Sequence, residues 1–253
     1  MSAWAIGLIT LACTYVGALL GLDLQRRLPA HHLSNDSKDA VKVVAGLLAT
    51  LCALVLGLLI ASAKGSFDAI NEALKQSAVK VIAIDRLLGE YGPEAQGARE
   101  QLKHQYAERV ARLFPEGRGD HGLSNLAPET SAAKAFNRSL WTLVPATDEQ
   151  RAILSRVQQL SDEVTRTRWL AFEEATGSTP PAFLAVLVSW LVMLFISFGL
   201  FTPRNPTTYG ALFLGAVAVA TSIFLIEEMN RPLGGFISIS TEPMRSALSV
   251  LGQ

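Results

Sequence analysis

Charged residues make up only 17% of this 253-residue chain, whereas typical soluble domains contain about 25%. Their scarcity is concentrated in four stretches of at least 21 residues without Asp, Glu, Lys or Arg, namely 1–22, 43–63, 175–203 and 205–226. About 20 helical residues cross a bilayer core, and a soluble helix of that length keeps charge on its solvated face. The four stretches therefore exclude an ordinary soluble protein and predict four transmembrane helices.

Cysteine and catalytic motifs are also nearly absent. The two cysteines, Cys13 and Cys52, lie in apolar stretches and are expected to be small buried residues rather than disulfide or metal partners. The chain has no H-E-x-x-H, C-x-x-C, G-x-S-x-G or phosphate-binding glycine loop, which are common signatures of catalytic sites. We therefore expect no enzyme activity, no metal site and no cofactor.

The chain has no net charge, but its charges are unevenly distributed. Of the 44 charged residues, 31 lie between Lys64 and Pro180, as 15 basic and 16 acidic residues. A segment so close to neutral offers no electrostatic basis for binding nucleic acid. In chain order, we expect a first transmembrane helix pair over 1–63, an extramembrane helical domain over 64–180, a second transmembrane hairpin over 181–229 and an amphipathic tail over 230–253.

No basic residue precedes the first apolar stretch, since the first one in the chain is Arg26. A cleaved secretory signal begins with a basic region, so we expect this stretch to remain in the protein as a membrane helix. It is rich in Gly and Ala, a composition that favours close packing against another helix.

Helical periodicity continues through the middle of the chain. Neither proline nor a turn cluster follows the second apolar stretch until Gly89–Pro93, so this span is expected to continue into the aqueous domain as one long helix. The other expected elements are helices over 94–114 and 129–143, a long helix opened by the capping box at Thr147, a final helix capped by Thr241, a loop over 115–128 and links over 23–42 and 202–208.

The second span carries two rows of side chains, one small and one bulky. The small row consists of Gly46, Ala49, Ala53, Gly57 and Ala61, and the bulky row includes Leu51, Leu54 and Leu58. A row of small residues lets another backbone approach closely. Packing within one subunit and a pore-lining or subunit-contact face remain alternatives for it.

Two separated strings resemble motifs of the bestrophin family of anion channels. The first follows the second span, and the residues that fit it are Ser66, Phe67, Asp68, Glu72 and Ala73, while Ala69, Ile70 and Asn71 replace one Arg and two Trp. The second follows the fourth span, where Glu227, Glu228, Pro232 and Gly234 fit and Leu233 replaces an aromatic residue. The chain is similar to the uncharacterised bestrophin-like membrane proteins of bacteria, which end in a similar pattern, here Arg231, Pro232, Gly235, Glu242, Pro243 and Arg245.

The resemblance implies an all-α membrane protein with four transmembrane helices around a helical extramembrane domain. It further implies a homopentamer whose second span lines a central pore. The aromatic pore neck of bestrophins has no counterpart between Val41 and Ser66, so a gate would use the leucines. The acidic calcium-binding cluster of animal bestrophins is replaced by 236–240, and we expect no calcium site.

Basic residues do not determine the orientation in the membrane, because 5 Lys or Arg flank the spans on one side and 7 on the other. The resemblance favours a cytoplasmic middle domain and a location in the bacterial inner membrane.

Two classes of function fit these features. In a channel, the leucines would form a narrow apolar constriction, Thr50 would be a polar group beside it, and Lys42 and Lys64 at the two ends would attract monovalent anions. In the alternative, the leucines face lipid and the protein is a non-conducting scaffold or sensor whose helical domain binds a partner. A transporter is disfavoured because no span has a charge or a proline near its middle.

Overall fold

The computed structural model describes residues 2–29, 35–114, 130–177 and 181–253. Over these residues the regular structure consists of helices, and the chain forms two compact units. The first unit combines Met1–Gly65 with Thr179–Asn230, and the second combines Ser66–Ser178 with Arg231–Gln253. We call them the membrane unit and the helical unit.

Eight α-helices follow one another along the described parts of the chain. They are α1 (Ala3–Arg27), α2 (Asn35–Tyr91), α3 (Gln96–Leu113), α4 (Thr130–Trp141), α5 (Asp148–Thr176), α6 (Pro181–Phe201), α7 (Pro206–Met229) and α8 (Glu242–Val250), with a 3-10 turn at Pro93–Ala95 before α3. Helices α1, α2, α6 and α7 are each long and apolar enough to cross a membrane. The prediction of an all-helical protein with four spans is confirmed.

The predicted link over 23–42 was too long, because α1 continues past its uncharged run to Arg27 and α2 begins at Asn35, before its uncharged run. Arg27 pairs with Asp23 at 2.9 Å within α1, and Lys42 pairs with Asp39 at 2.9 Å within α2. Charged pairs three or four residues apart support a helix on its exposed side. The end of an apolar run therefore marked the end of hydrophobicity rather than the end of the helix.

Helix α2 continues without a break to Tyr91, as predicted from the absence of a stop signal. The next residue, Gly92, has a φ of 123°, a backbone conformation that glycine adopts readily, and Pro93 follows it. Helices α3 and α4 lie within the predicted ranges. The predicted loop over 115–128 lies outside the described residues.

Side-chain caps account for the starts of α5 and α7, whereas the cap predicted for α8 is not formed. At α5, the Thr147 hydroxyl accepts a hydrogen bond from the Gln150 backbone amide at 3.1 Å, as the capping box predicts. At α7, Asn205 accepts one from Thr208 at 2.8 Å, so the α6–α7 link narrows to 202–205. At α8, Thr241 makes no side-chain cap bond, which contradicts the prediction. The preceding Ser240 accepts from the Glu242 amide instead, at 3.3 Å.

Direct backbone contact joins α1 and α6 in the membrane unit. A Cβ atom on Gly21 would lie 2.1 Å from the carbonyl oxygen of Ile196, and one on Gly199 would lie 2.1 Å from that of Ala18. Hydrocarbon surroundings offer no hydrophobic drive for helix association, so contact of this kind depends on small residues. The glycine-rich first span predicted such packing.

The described part of the helical unit contains a large apolar core. Helix α2 contributes a stripe of buried residues to it, and α3, α4, α5, α8 and residues of the connecting turns pack against that stripe. At its edge, Arg99 donates two hydrogen bonds to Asp85, at 3.0 and 2.9 Å, and the Gly252 amide donates to the same carboxylate at 3.1 Å. This network attaches the residues after α8 to α2 and α3.

We predict that Gly21→Ala and Gly199→Ala destabilise the membrane unit, because either new methyl group would overlap a backbone carbonyl. Overpacking of this kind costs about 1–3 kcal/mol, which lowers the midpoint of thermal unfolding by roughly 2–10 °C for a chain of this size. The measurement is thermal unfolding of the full chain in detergent.

Gly210→Ala in α7 is the matched control, because a Cβ atom there would have no neighbour within 4 Å. Its midpoint should equal or exceed that of the wild type. A midpoint at the wild-type value for the Gly21 and Gly199 variants would show that the helices do not touch there.

Candidate functional site

The apolar segment of α2 is the least covered of the four spans. Only 11% of its most apolar 18-residue window is buried, against 28–39% in the other three spans. The segment is nevertheless almost wholly apolar. Its open side must therefore be covered by lipid, by another subunit or by the low-polarity part of a pore.

The inner side of this segment packs on the other helices of the membrane unit. Cys52 is buried there against Leu187 and Leu191 of α6 and Ile223 of α7. The prediction of burial is confirmed for Cys52 but wrong for Cys13, which is exposed on α1. An apolar residue of a membrane helix need not be buried by its own chain, because lipid or another subunit can provide its apolar surroundings.

The leucines of the bulky row all lie on the open side of α2. Leu54 and Leu58 are 70% and 69% exposed, and Leu51 is 41% exposed. Leu47 lies on the same side and is also exposed. Thr50 is exposed nearby, and its hydroxyl donates to the Gly46 carbonyl of the same helix at 2.9 Å. The only polar side chain of this group is therefore satisfied within α2.

The small row lies mostly on the open side as well. Gly46, Ala53, Gly57 and Ala61 are exposed, while Ala49 is partly buried. A Cβ atom on Gly46 or Gly57 would meet no atom within 4 Å. Packing within the subunit therefore does not account for these two glycines.

Two basic residues flank the apolar segment. Lys42 and Lys64 are both exposed. The Lys42 ammonium lies 2.9 Å from the Asp39 carboxylate, so much of its charge is neutralised locally. Asp39 was not among the predicted site residues, although its spacing of three residues from Lys42 on a helix signals such a pair.

The first motif lies on the part of α2 that belongs to the helical unit. The Ser66 hydroxyl donates to the Glu174 carboxylate of α5 at 2.6 Å, and Phe67 packs against the core. Asp68 and Glu72 are exposed, and Glu72 accepts a hydrogen bond from Gln76 of the same helix at 3.1 Å. Ser66 therefore joins this motif to another helix of the helical unit.

The second motif begins in the last turn of α7 and continues beyond it as a compact turn. Glu228 is 3% exposed and Glu227 is partly buried, so these carboxylates belong to the packed structure rather than to a solvated face. Beyond them, the Ile239 amide donates to the Pro232 carbonyl at 2.9 Å, and Gly234 donates to Arg231 at 3.3 Å. Leu233, at the position of the family's aromatic residue, is buried in the core of the helical unit.

These elements define a class: an all-helical membrane protein with a helical domain between its second and third spans. The chain belongs to the bestrophin-like family, since the model of the Bestrophin-like domain matches residues 12–244. No curated protein matches the chain.

Solved structures share the fold over nearly the whole chain. A bacterial bestrophin homolog from Klebsiella pneumoniae, in an isoleucine-to-threonine variant, has a TM-score of 0.71 at 15% identity and covers 97% of this chain and 99% of its own. A tyrosine-to-alanine variant of a homolog from the same organism has a TM-score of 0.67 at 15% identity, with the same coverage. A structure described as a membrane protein, in a proline-to-alanine variant, has a TM-score of 0.67 at 12% identity and covers 98% of this chain and 99% of its own.

Proposed function

We propose that the protein is an oligomeric membrane channel that passes monovalent anions through a pore lined by α2. The observation that carries the proposal is the open, apolar face of α2 over 43–63, the least buried span in a chain of the bestrophin-like family. A helix that lines an axis shared by several subunits must leave that face uncovered within its own subunit. A pentamer is the expected assembly, with the helical unit on the cytoplasmic side of the bacterial inner membrane.

The two rows on α2 suit different roles in such an assembly. Successive residues of a helix are about 100° apart, so the leucine row and the small row lie beside each other on the open face, with their centres about 110° apart. Leucines directed to the axis would form a narrow, dry constriction. The small row would then meet the neighbouring subunit, where close backbone approach is favourable.

Positive charge at the two ends of the apolar segment of α2 supports a preference for anions. Lys64 would place one positive charge per subunit at one mouth of the pore, and a ring of such charges raises the local concentration of anions. Lys42 would do the same at the other mouth, where Asp39 offsets part of its charge. We therefore propose that Lys64 and Lys42 together provide the preference for anions.

A non-conducting scaffold or sensor is the second candidate. The exposed leucines would equally suit contact with lipid, and the open face has Thr50 as a polar group whose hydroxyl is already satisfied. In this case the α2 helices would not surround an axis, and the helical unit would carry the function by binding a partner.

We predict that the detergent-solubilised protein has a mass of about five times the 27.2 kDa of one chain, as measured by light scattering with the detergent contribution removed. Gly57→Leu should shift the mass towards smaller species, because its side chain would enter the proposed subunit contact. A Cβ atom at this position would meet no atom of the subunit within 4 Å, so the fold of each chain should be retained.

Gly210→Leu is the control for assembly, since that site on α7 is equally open within the subunit. It should leave the mass unchanged. A monomeric wild type would rule out an axial pore, and an unchanged mass for Gly57→Leu would place the contact elsewhere.

We also predict that Leu54→Ala raises anion flux well above the wild-type rate in liposomes that contain a chloride-sensitive dye. Removing most of a leucine side chain from each subunit would widen the constriction and lower the cost of stripping water from the ion. Leu59→Ala is the control, because Leu59 packs on the inner side of α2 and its truncation should not widen the pore.

Flux at the level of empty liposomes for the wild type and for Leu54→Ala, with insertion and assembly verified, would favour the scaffold. Equal increases for Leu54→Ala and Leu59→Ala would indicate general loosening of the protein instead of a leucine constriction.

A further inference from the structure

A partly buried arginine lies in the short link between α6 and α7, within the membrane unit. Arg204 donates a hydrogen bond from Nε to the side-chain oxygen of Gln25 in α1 at 3.3 Å. Its Nη2 atom is buried and has no hydrogen-bond partner within the described structure. A buried donor that binds nothing is unfavourable. The guanidinium group of Arg204 therefore has one donor in use and one unused donor beside it.

The same two guanidinium atoms are both used by another arginine of this chain. Arg99 donates from Nε and Nη2 to the two carboxylate oxygens of Asp85, at 3.0 and 2.9 Å. A glutamine side chain offers one oxygen instead of two and carries no charge. The pattern at Arg204 is therefore half of a bidentate site, and a group with two anionic oxygens would complete it.

The depth of Arg204 in the membrane indicates which group supplies such oxygens. The uncharged run of α1 ends at Leu22, and Gln25 lies three residues later, which is about 4.5 Å along a helix. The interfacial layer of a bilayer extends roughly 5–8 Å beyond the hydrocarbon core on each side. Arg204 contacts Gln25 and lies in the link of 202–205 between two spans, so it lies in the same layer. This layer contains the lipid headgroups with their phosphates.

Basic residues outnumber acidic ones on this side of the membrane unit. The segments 23–42 and 202–205 together contain five Lys or Arg and three Asp. Two of the acidic residues pair with basic residues of their own helices. A net positive surface beside a bilayer attracts anionic headgroups, which raises the local concentration of phosphate groups around Arg204.

We propose that Arg204 and Gln25 form a binding site for the phosphate group of a membrane phospholipid. One phosphate oxygen accepts from Nη2 of Arg204, and a second replaces the Gln25 oxygen on Nε, in the arrangement that Asp85 has on Arg99. Gln25 is partly exposed, so its side chain can turn aside, which opens this edge of the guanidinium group and lets the glutamine amide donate to the same phosphate. The site uses no residue of the 43–63 segment and does not depend on the proposed pore.

The test measures lipid binding by the full chain in detergent after co-purified lipid has been removed. The probe is dioleoyl phosphatidylglycerol, and dioleoylglycerol, which has the same acyl chains without the phosphate, is the control lipid. Native mass spectrometry should detect one retained phosphatidylglycerol per subunit. The midpoint of thermal unfolding should rise by at least about 3 °C, since a ligand of the native state stabilises it. Dioleoylglycerol should do neither.

Arg204→Gln should weaken phosphatidylglycerol binding about tenfold or more, because it removes charge-assisted hydrogen bonds to the phosphate. Arg26→Gln is the matched control. It removes the same charge from an exposed position on the same side of the membrane unit, and it should bind the lipid as the wild type does.

Gln25→Glu distinguishes a site that is filled from a protein that is damaged. A glutamate would supply two oxygens to Nε and Nη2 of Arg204, as Asp85 does for Arg99. The unfolding midpoint without lipid should therefore rise, while phosphatidylglycerol binding falls about tenfold or more. Arg26→Gln also serves as the control here, because it changes the net charge by the same amount at the adjacent residue.

The Gln25→Glu arm keeps the proposal testable if Arg204→Gln fails to fold. Equal binding of phosphatidylglycerol and dioleoylglycerol by the wild type would overturn the proposal. Wild-type lipid affinity in both Arg204→Gln and Gln25→Glu would place the phosphate elsewhere and overturn it too. An equal loss in Arg26→Gln would show that only the overall basic charge matters, which contradicts a site at Arg204. Sodium phosphate is a separate arm. If it raises the midpoint as far as the lipid does, the site takes a free anion and the lipid proposal fails.

Discussion

The backbone contact between α1 and α6 is the constraint on which the membrane unit depends. In hydrocarbon, helices gain little by hiding apolar side chains from one another, so they associate where their surfaces come closest. Gly21 and Gly199 allow that approach on both helices, and α7 also packs on α1. Helix α2 packs on α6 and α7 by one side only. The open face that carries the proposed function therefore follows from where the closest contacts of the unit are made.

One helix serves two environments, and its sequence changes accordingly. Over 43–63, α2 is apolar on all sides and mostly exposed in the single chain, as expected for a helix whose surroundings are apolar. Over 70–91 it becomes amphipathic, and a regular stripe that includes Ile70, Leu74 and Leu88 enters the core of the helical unit. Because α2 contains no proline, the change of environment occurs without a break in the backbone.

Features with strong local causes could be predicted from the sequence. The uncharged runs identified the spans, the absence of a stop signal gave the length of α2, and Thr147 with Gln150 marked the start of α5. Prediction failed where a side chain's role depends on its neighbours in space. The exposure of Cys13 depends on which helices surround α1, and the Ser66–Glu174 bond joins residues far apart in sequence. Arg109 lies three residues after Tyr106 and four before Leu113, so its place on the apolar stripe of α3 was a readable signal of its burial.

Because α2 is uninterrupted, the angular positions of side chains in its first part are fixed relative to those in its last part. Each residue advances the helix by about 100°, so inserting one residue between Ala63 and Ile70 would rotate every later side chain by that angle relative to the earlier ones. The leucine face and the buried stripe would then no longer hold their present angular relation. Seven residues, close to two full turns, would restore it to within about 20°. Length variation between Ala63 and Ile70 should therefore be tolerated only in steps of about two whole turns, because other lengths would change the angle between the leucine face and the buried stripe.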